Sequence, residues 1–252
     1  MIASTMQNKL KRLSYVLLPI VFWLGVWELA SIFAGSSFLI PGIGTTLSAL
    51  FGLLGESDFY IAVLSSLIRV ILGLLAGITL GILTAILAYR FKAVHSVIAP
   101  AVSVIRSTPV ASFIVILWIM MSGDSLAIFV SFLMVYPIIW QNMLDGFNSL
   151  DKDLCEVSKV FKFSLFKKVK LLYFPALIKF FIPAVITSVG LGWKSEIAAE
   201  IIAYTARSIG QMINSSKMDF DTPEIFALTL TVIVMSVILE SVTKAILRRI
   251  KT

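Results

Sequence analysis

Seven ionisable residues stand inside otherwise apolar stretches of this 252-residue chain: Glu28, Arg69, Arg106, Lys194, Glu196, Glu200 and Glu240. A charge near the middle of a membrane-spanning helix costs roughly 2.5–3.5 kcal/mol, so each must find a partner, a wet cavity or a function. Glu28 and Arg69 lie at similar depths in the first two apolar stretches, which predicts an ion pair between neighbouring helices. Arg106 precedes Pro109 by three residues, where an interrupted helix would expose backbone groups to a cavity or transport pathway. Glu196 and Glu200 are four apart, so they share a helix face and repel each other. Lys194 or Arg207 could compensate them, or the group could form a gate. None of this amounts to an acid–base pair. One histidine, His95, and one cysteine, Cys155, provide no metal cluster, no cofactor ligand set and no internal disulfide. Gly190-Leu-Gly-Trp-Lys194-Ser195 is no phosphate loop, because Trp193 stands where glycine must precede the lysine. Asn214-Ser215-Ser216 fits a glycosylation sequon that is common by chance.

The elements that position these charges are membrane spans. The chain is 59% hydrophobic and 14% charged, against about 25% charged in an ordinary soluble domain. A bilayer core about 30 Å thick needs about 20 helical residues to cross it. By that measure six spans are expected, at residues 15–34, 61–89, 97–121, 125–144, 180–203 and 223–247, in an all-α polytopic fold. The third is the candidate for a break, at Pro100 or Pro109. Residues 1–14 read as a short N-terminal segment. The apolar run behind Lys9, Lys11 and Arg12 exceeds the core of a signal peptide, so an uncleaved first span is expected.

Basic residues set the orientation. With the N-terminus cytoplasmic, 16 of the 21 Lys and Arg residues fall in inner segments, counting Lys244 at the inner end of the last span, and only Arg207 and Lys217 in outer ones. This is a strong positive-inside bias. It also accounts for the net charge of +7, which would face anionic lipid headgroups rather than nucleic acid.

Residues 150–175 interrupt the apolar pattern with a charged, helix-forming segment. Leu154, Val157, Val160 and Phe161 recur at three- and four-residue spacing, which predicts a short helix with one apolar face. Asp151 and Asp153 suit its N-terminus, and Ser164 suits the cap of a second helix. Such a segment reads as a docking element for a partner outside the membrane or, alternatively, as an amphipathic segment lying on headgroups. In the second span, Gly73, Gly77 and Gly81 form overlapping G-x-x-x-G units, which allow close helix packing within the chain or at a subunit interface.

Glu156-Val157-Ser158, then Lys162, then Pro175 after Leu-Leu-Tyr-Phe, resembles the EAA loop of ABC importer membrane subunits. Val157 and Ser158 stand where that family has alanines, and Lys162 where it has glycine. The family's glycine serves a turn with positive φ, which lysine adopts at a cost of about 1–2 kcal/mol. Further matches cover most of the chain and resemble the nitrate/sulfonate/taurine permease group. They are Ser65-Ser-Leu-Ile-Arg69 through Gly73, Arg106-Ser-Thr-Pro109 followed by Trp118, Trp193-Lys-Ser-Glu-Ile-Ala-Ala-Glu200, and Ile209-Gly210-Gln211. The resemblance implies a type I importer transmembrane domain in the cytoplasmic (inner) membrane that hydrolyses no ATP. It further implies a second permease chain in a homodimer, two ATPase subunits docked on the 150–175 loops, and an extracytoplasmic solute-binding protein. The implied ligands are sulfonates, nitrate, bicarbonate or vitamin precursors. A self-sufficient secondary transporter is the alternative reading and an intramembrane enzyme the third.

The orientation is testable by thiol labelling of intact cells. Asp58→Cys and Met218→Cys should react with an impermeant reagent while native Cys155 stays protected. Labelling of Cys155 from outside would contradict the six-span arrangement.

Overall fold

The computed structural model of the chain describes residues 2–121 and 123–250, with side chains for all of these except 2–14, 16 and 250. The basic side chains of the N-terminal segment 1–14 therefore lie outside the described residues. Eleven helices account for nearly all of the described residues: α1 (Ile2–Ala34), α2 (Ile43–Leu53), α3 (Ser57–Arg90), α4 (Lys92–Ser107), α5 (Val110–Met120), α6 (Asp124–Asn148), α7 (Lys152–Val160), α8 (Leu165–Lys168), α9 (Phe174–Ala203), α10 (Ile209–Met218) and α11 (Thr222–Ile250). A single π turn, Val169–Tyr173, joins α8 to α9. The fold is all-α and polytopic.

Five helical stretches are long and apolar enough to cross a bilayer: Leu17–Ala34, Ser57–Arg90, Asp124–Asn148, Leu165–Ala203 and Thr222–Arg249. The expected third span is broken at one of its two candidate prolines. It is a broken pair, α4 and α5, bent by 107°. Pro100 sits inside α4 without ending it. The break falls at Pro109, because a proline disfavours helical backbone in the residue before it. Thr108 is accordingly extended, at φ −86° and ψ 133°. The expected fifth span also begins earlier than residue 180. Pro175 lies in the first turn of α9, where its missing N–H costs nothing, so the helix runs on from the 150–175 segment.

The chain divides into two compact units, residues 1–59 with 213–231 and residues 60–212 with 232–252. In the smaller unit, the loop after α1 is tied down by side chains of α1. Trp27 donates its indole N–H to the Pro41 carbonyl at 3.0 Å, and Ser31 donates to Ile40 O at 2.9 Å. Thr222 donates to Phe38 O at 2.7 Å. The short apolar helix α2, absent from the sequence reading, follows directly.

The larger unit is built around α6. Leu126, Ala127, Val130, Val135, Ile139 and Trp140 of this helix are all buried. The three glycines of α3 lie against one face of it. A Cβ on Gly73 would meet Ser131 Cβ at 2.6 Å, one on Gly77 would meet Val135 Cγ1 at 2.7 Å, and one on Gly81 would meet Ile139 Cβ at 2.9 Å. Glycine every fourth residue on α3 faces Ser, Val and Ile every fourth residue on α6, so the two backbones approach within contact. The motif therefore packs helices within one chain. Gly192 of α9 approaches the same helix, its Cβ position lying 3.1 Å from Ser131 Oγ and from Val135 Cγ2. Trp193, fully buried, donates to Val232 O at 3.0 Å. Ile114 of α5 joins Leu126, Ala127, Val130, Ala199 and Ala203 in a second apolar cluster.

Gly73→Ala tests this packing. The added methyl meets a backbone carbonyl, Ile128 O, at 2.7 Å, which cannot rotate away. A loss of about 1–3 kcal/mol is expected, read as a lower thermal midpoint in detergent. Unchanged stability would contradict the close approach of α3 and α6.

Candidate functional site

The buried charges of the larger unit converge on Arg69. Its Nη1 donates to Glu200 Oε1 at 2.7 Å, its Nε donates to Asp124 Oδ1 at 2.9 Å, and its Nη2 donates to Ala206 O at 3.0 Å. The Arg69 and Glu200 side chains are 7% and 0% exposed, whereas Asp124 is 70% exposed. Glu200 takes three further hydrogen bonds. Ser66 donates to Oε1 at 2.8 Å and to Oε2 at 2.9 Å, and the Gly210 N–H donates to Oε2 at 3.2 Å. Ser66 Oγ in turn accepts from Ile209 N at 3.2 Å. The Glu200 carboxylate on α9 thus joins α3 to the N-terminus of α10, and Arg69 extends the cluster to the start of α6. Gly210 is required for this approach, since a Cβ there would stand 2.4 Å from Glu200 Cβ.

This arrangement corrects the expected Glu28–Arg69 pair. Arg69 takes Glu200 and Asp124, and Glu28 accepts from Ile43 N at 2.9 Å. The reason is electrostatic. The α2 N-cap, Gly42, offers no side chain to its first N–H groups, so a carboxylate satisfies one of them at the positive end of the helix. The expected compensation of Glu200 by Lys194 or Arg207 is corrected as well. Lys194 is exposed, and the backbone N–H of Arg207, at φ 51°, donates to Gln211 Oε1. Glu196 is fully buried, and the group its carboxyl meets is the neighbouring Glu200. Glu240 pairs with Lys244 at 3.2 Å.

The 150–175 segment forms the two short helices its spacing predicts. Asp151 caps α7, accepting from Asp153 N at 2.8 Å, and Ser164 caps α8, accepting from Lys167 N at 3.4 Å. Lys162 adopts φ +49°, so the turn keeps the left-handed geometry that glycine serves in the family pattern. Phe163 N donates to Ser158 O at 2.9 Å and Lys162 N to Lys159 O at 3.0 Å, which is a Schellman closure. Ser158 is buried and donates to Cys155 O at 2.7 Å. Glu156 and Pro175 are exposed. Val157 is 44% exposed, Val160 76% and Phe161 72%, so the apolar side of α7 faces outward.

Residues 77–252, more than half of the chain, match the family described as binding-protein-dependent transport system inner membrane component. The chain belongs to this family. Its relatives among known transport proteins agree. A Bacillus subtilis (strain 168) protein carrying the name of an aliphatic sulfonates transport permease is 23% identical over 84% of this chain and 77% of its own length. A Brucella melitensis protein named as an ABC transporter permease is 26% identical over 97% of this chain and 99% of its own. The taurine transport system permease protein of Escherichia coli is 22% identical over 89% and 83%. The chain is thus a multi-pass permease of a binding-protein-dependent transport system, a transport subunit.

In this binding-protein-dependent permease, Arg106 and Pro109 lie at the α4–α5 break. Arg106 is exposed in the last turn of α4, where a cation suits the negative helix end. Pro109 is the N-cap of α5. Sequence reasoning gave no role in the charge cluster to Ser66, Asp124 or Gly210. Ser66 and Gly210 stand inside quoted motifs, but only the fold brings all three to the Arg69–Glu200 pair.

Proposed function

We propose that this permease is the membrane subunit of an ABC importer that passes small oxyanions of the sulfonate class. On this reading an extracytoplasmic binding protein delivers the solute and separate ATPase subunits drive transport. The permease works as a homodimer with two ATPases, its N- and C-termini cytoplasmic. The transport of aliphatic sulfonates and taurine for which two relatives are named supports the substrate class.

The observation that carries the coupling role is the exposed apolar side of α7. Val157, Val160 and Phe161 project from a helix fixed at both ends, by the Asp151 cap and the Lys162 turn. Apolar side chains on a rigid, polar-framed helix outside the spans suit a groove on a partner protein. Glu156, Val157, Ser158 and Lys162 then form the ATPase contact, and Pro175 marks where the segment joins its span. Because α8, the π turn and α9 are continuous over Leu165–Ala203, a push on this segment is carried into the span that holds Glu196 and Glu200. ATP-driven closure would thereby bias inward- and outward-open states.

Val157→Arg places a bulky cation on the docking side without touching the spans. The variant should insert and fold normally while ATPase co-purification and uptake fall at least tenfold. Unchanged uptake, or uptake in cells lacking the cognate ATPase, would favour a self-sufficient secondary transporter instead.

A further inference from the structure

A cavity of about 450 Å³ lies between α4 and α6, walled among others by His95, Ser103, Arg106, Ser107, Trp140 and Gln141. Its α4 residues recur at helical spacing along one stripe, and its α6 residues share one face. Its lining holds a guanidinium, a histidine, two hydroxyls and an amide, but no carboxylate. Arg106 has no ion pair or side-chain hydrogen bond among the described residues, unlike Arg69. Ser103 is also free of side-chain bonds. Gln141 is committed through its amide nitrogen to Asp145 at 2.9 Å, and Ser107 donates to Val104 O at 3.1 Å. Trp140 is 2% exposed, and its indole Nε1, which has no hydrogen-bond partner among the described residues, is itself sealed from the pocket that the ring walls. His95 packs against the same indole, with ring centroids 5.9 Å apart.

The uncommitted groups at the pocket include the Arg106 guanidinium and the Ser103 hydroxyl, with the Gln141 amide oxygen as an acceptor beside them. Guanidinium binds planar or tetrahedral oxyanions through paired N–H groups, with a hydroxyl donor completing the shell. A water-filled pocket also lets a charge persist in a span at reduced cost. We infer that this cavity is an oxyanion-binding site on the transport pathway, with Arg106 as its cation and Ser103 as a neutral donor. The inference rests on the importer reading for the pathway, but the site itself does not depend on ATPase docking. The oxyanion could come from two sources, a transported solute or the phosphate of a lipid headgroup.

The test uses the full chain in phosphatidylcholine nanodiscs, with radiolabelled methanesulfonate in equilibrium dialysis. Saturable binding is expected, weakened about tenfold or more in Arg106→Gln and largely retained in Arg106→Lys. Ser103→Ala should weaken it severalfold, and Leu191→Ala, on an exposed position of α9, should not. A parallel arm adds phosphatidylglycerol and follows lipid retention by native mass spectrometry. Phosphatidylglycerol retained in an Arg106-dependent manner, with no methanesulfonate bound, supports the oxyanion site with lipid as its source. Binding of both probes that is absent or indifferent to Arg106 overturns the inference. If ATPase co-purification persists in that case, the importer reading stands and only the site fails.

Discussion

The buried pair of Arg69 and Glu200 is the constraint on which the larger unit depends. Two charges are held inside apolar helices, each of which would cost roughly 2.5–3.5 kcal/mol alone. They are tolerable only together, at 2.7 Å, with Ser66 and the Gly210 N–H filling the remaining acceptor positions of the carboxylate. Removing either partner of such a buried pair leaves a stranded charge and costs about 3–5 kcal/mol. The pair also fixes topology. It holds α3 to α9, and through Asp124 and Gly210 it sets where α6 and α10 begin. The glycine stripe of α3 then packs along α6 in the register that the pair allows.

From that anchor the rest of the reading follows in order. Packing of α3, α6 and α9 is rigid, because glycines and buried β-branched residues leave no room to slide. The α4–α5 break contrasts with it, leaving Arg106 exposed at a cavity rather than paired. The α7–α8 segment differs again, with capped helices and outward apolar side chains. One chain thus combines a closely packed core, a polar cavity and an exposed apolar helix side, which is the division of labour that the proposed importer requires.

The span-level architecture was legible in the sequence because hydropathy and segment length dominate in a bilayer. Five of the six expected spans fall inside single observed helices. The third is bent by 107° at Pro109, a break that proline chemistry signals in the sequence although its angle is not written there. The helix that holds the fifth begins before residue 180, where charge at Lys167, Lys168, Lys170 and Lys179 masks its continuity. The caps at Asp151 and Ser164 were legible because capping is local. The partner of Arg69 was not. Glu28 and Glu200 both lie near the depth of Arg69, and depth alone cannot choose between them. The choice turned on the unfilled N-terminus of α2, which takes Glu28, and α2 was itself invisible as a span because it is only 11 residues long.

The most direct test of this account is a double-mutant cycle between Arg69→Met and Glu200→Met, with Glu28→Gln as the comparison partner for Arg69. Stability of the purified chain is read by denaturant unfolding in detergent. The account predicts that the Arg69→Met/Glu200→Met double variant is less damaged than the sum of its singles by at least about 1 kcal/mol, while Glu28→Gln adds independently to Arg69→Met. Additive losses for Arg69 and Glu200, or coupling of Arg69 to Glu28 instead, would contradict it.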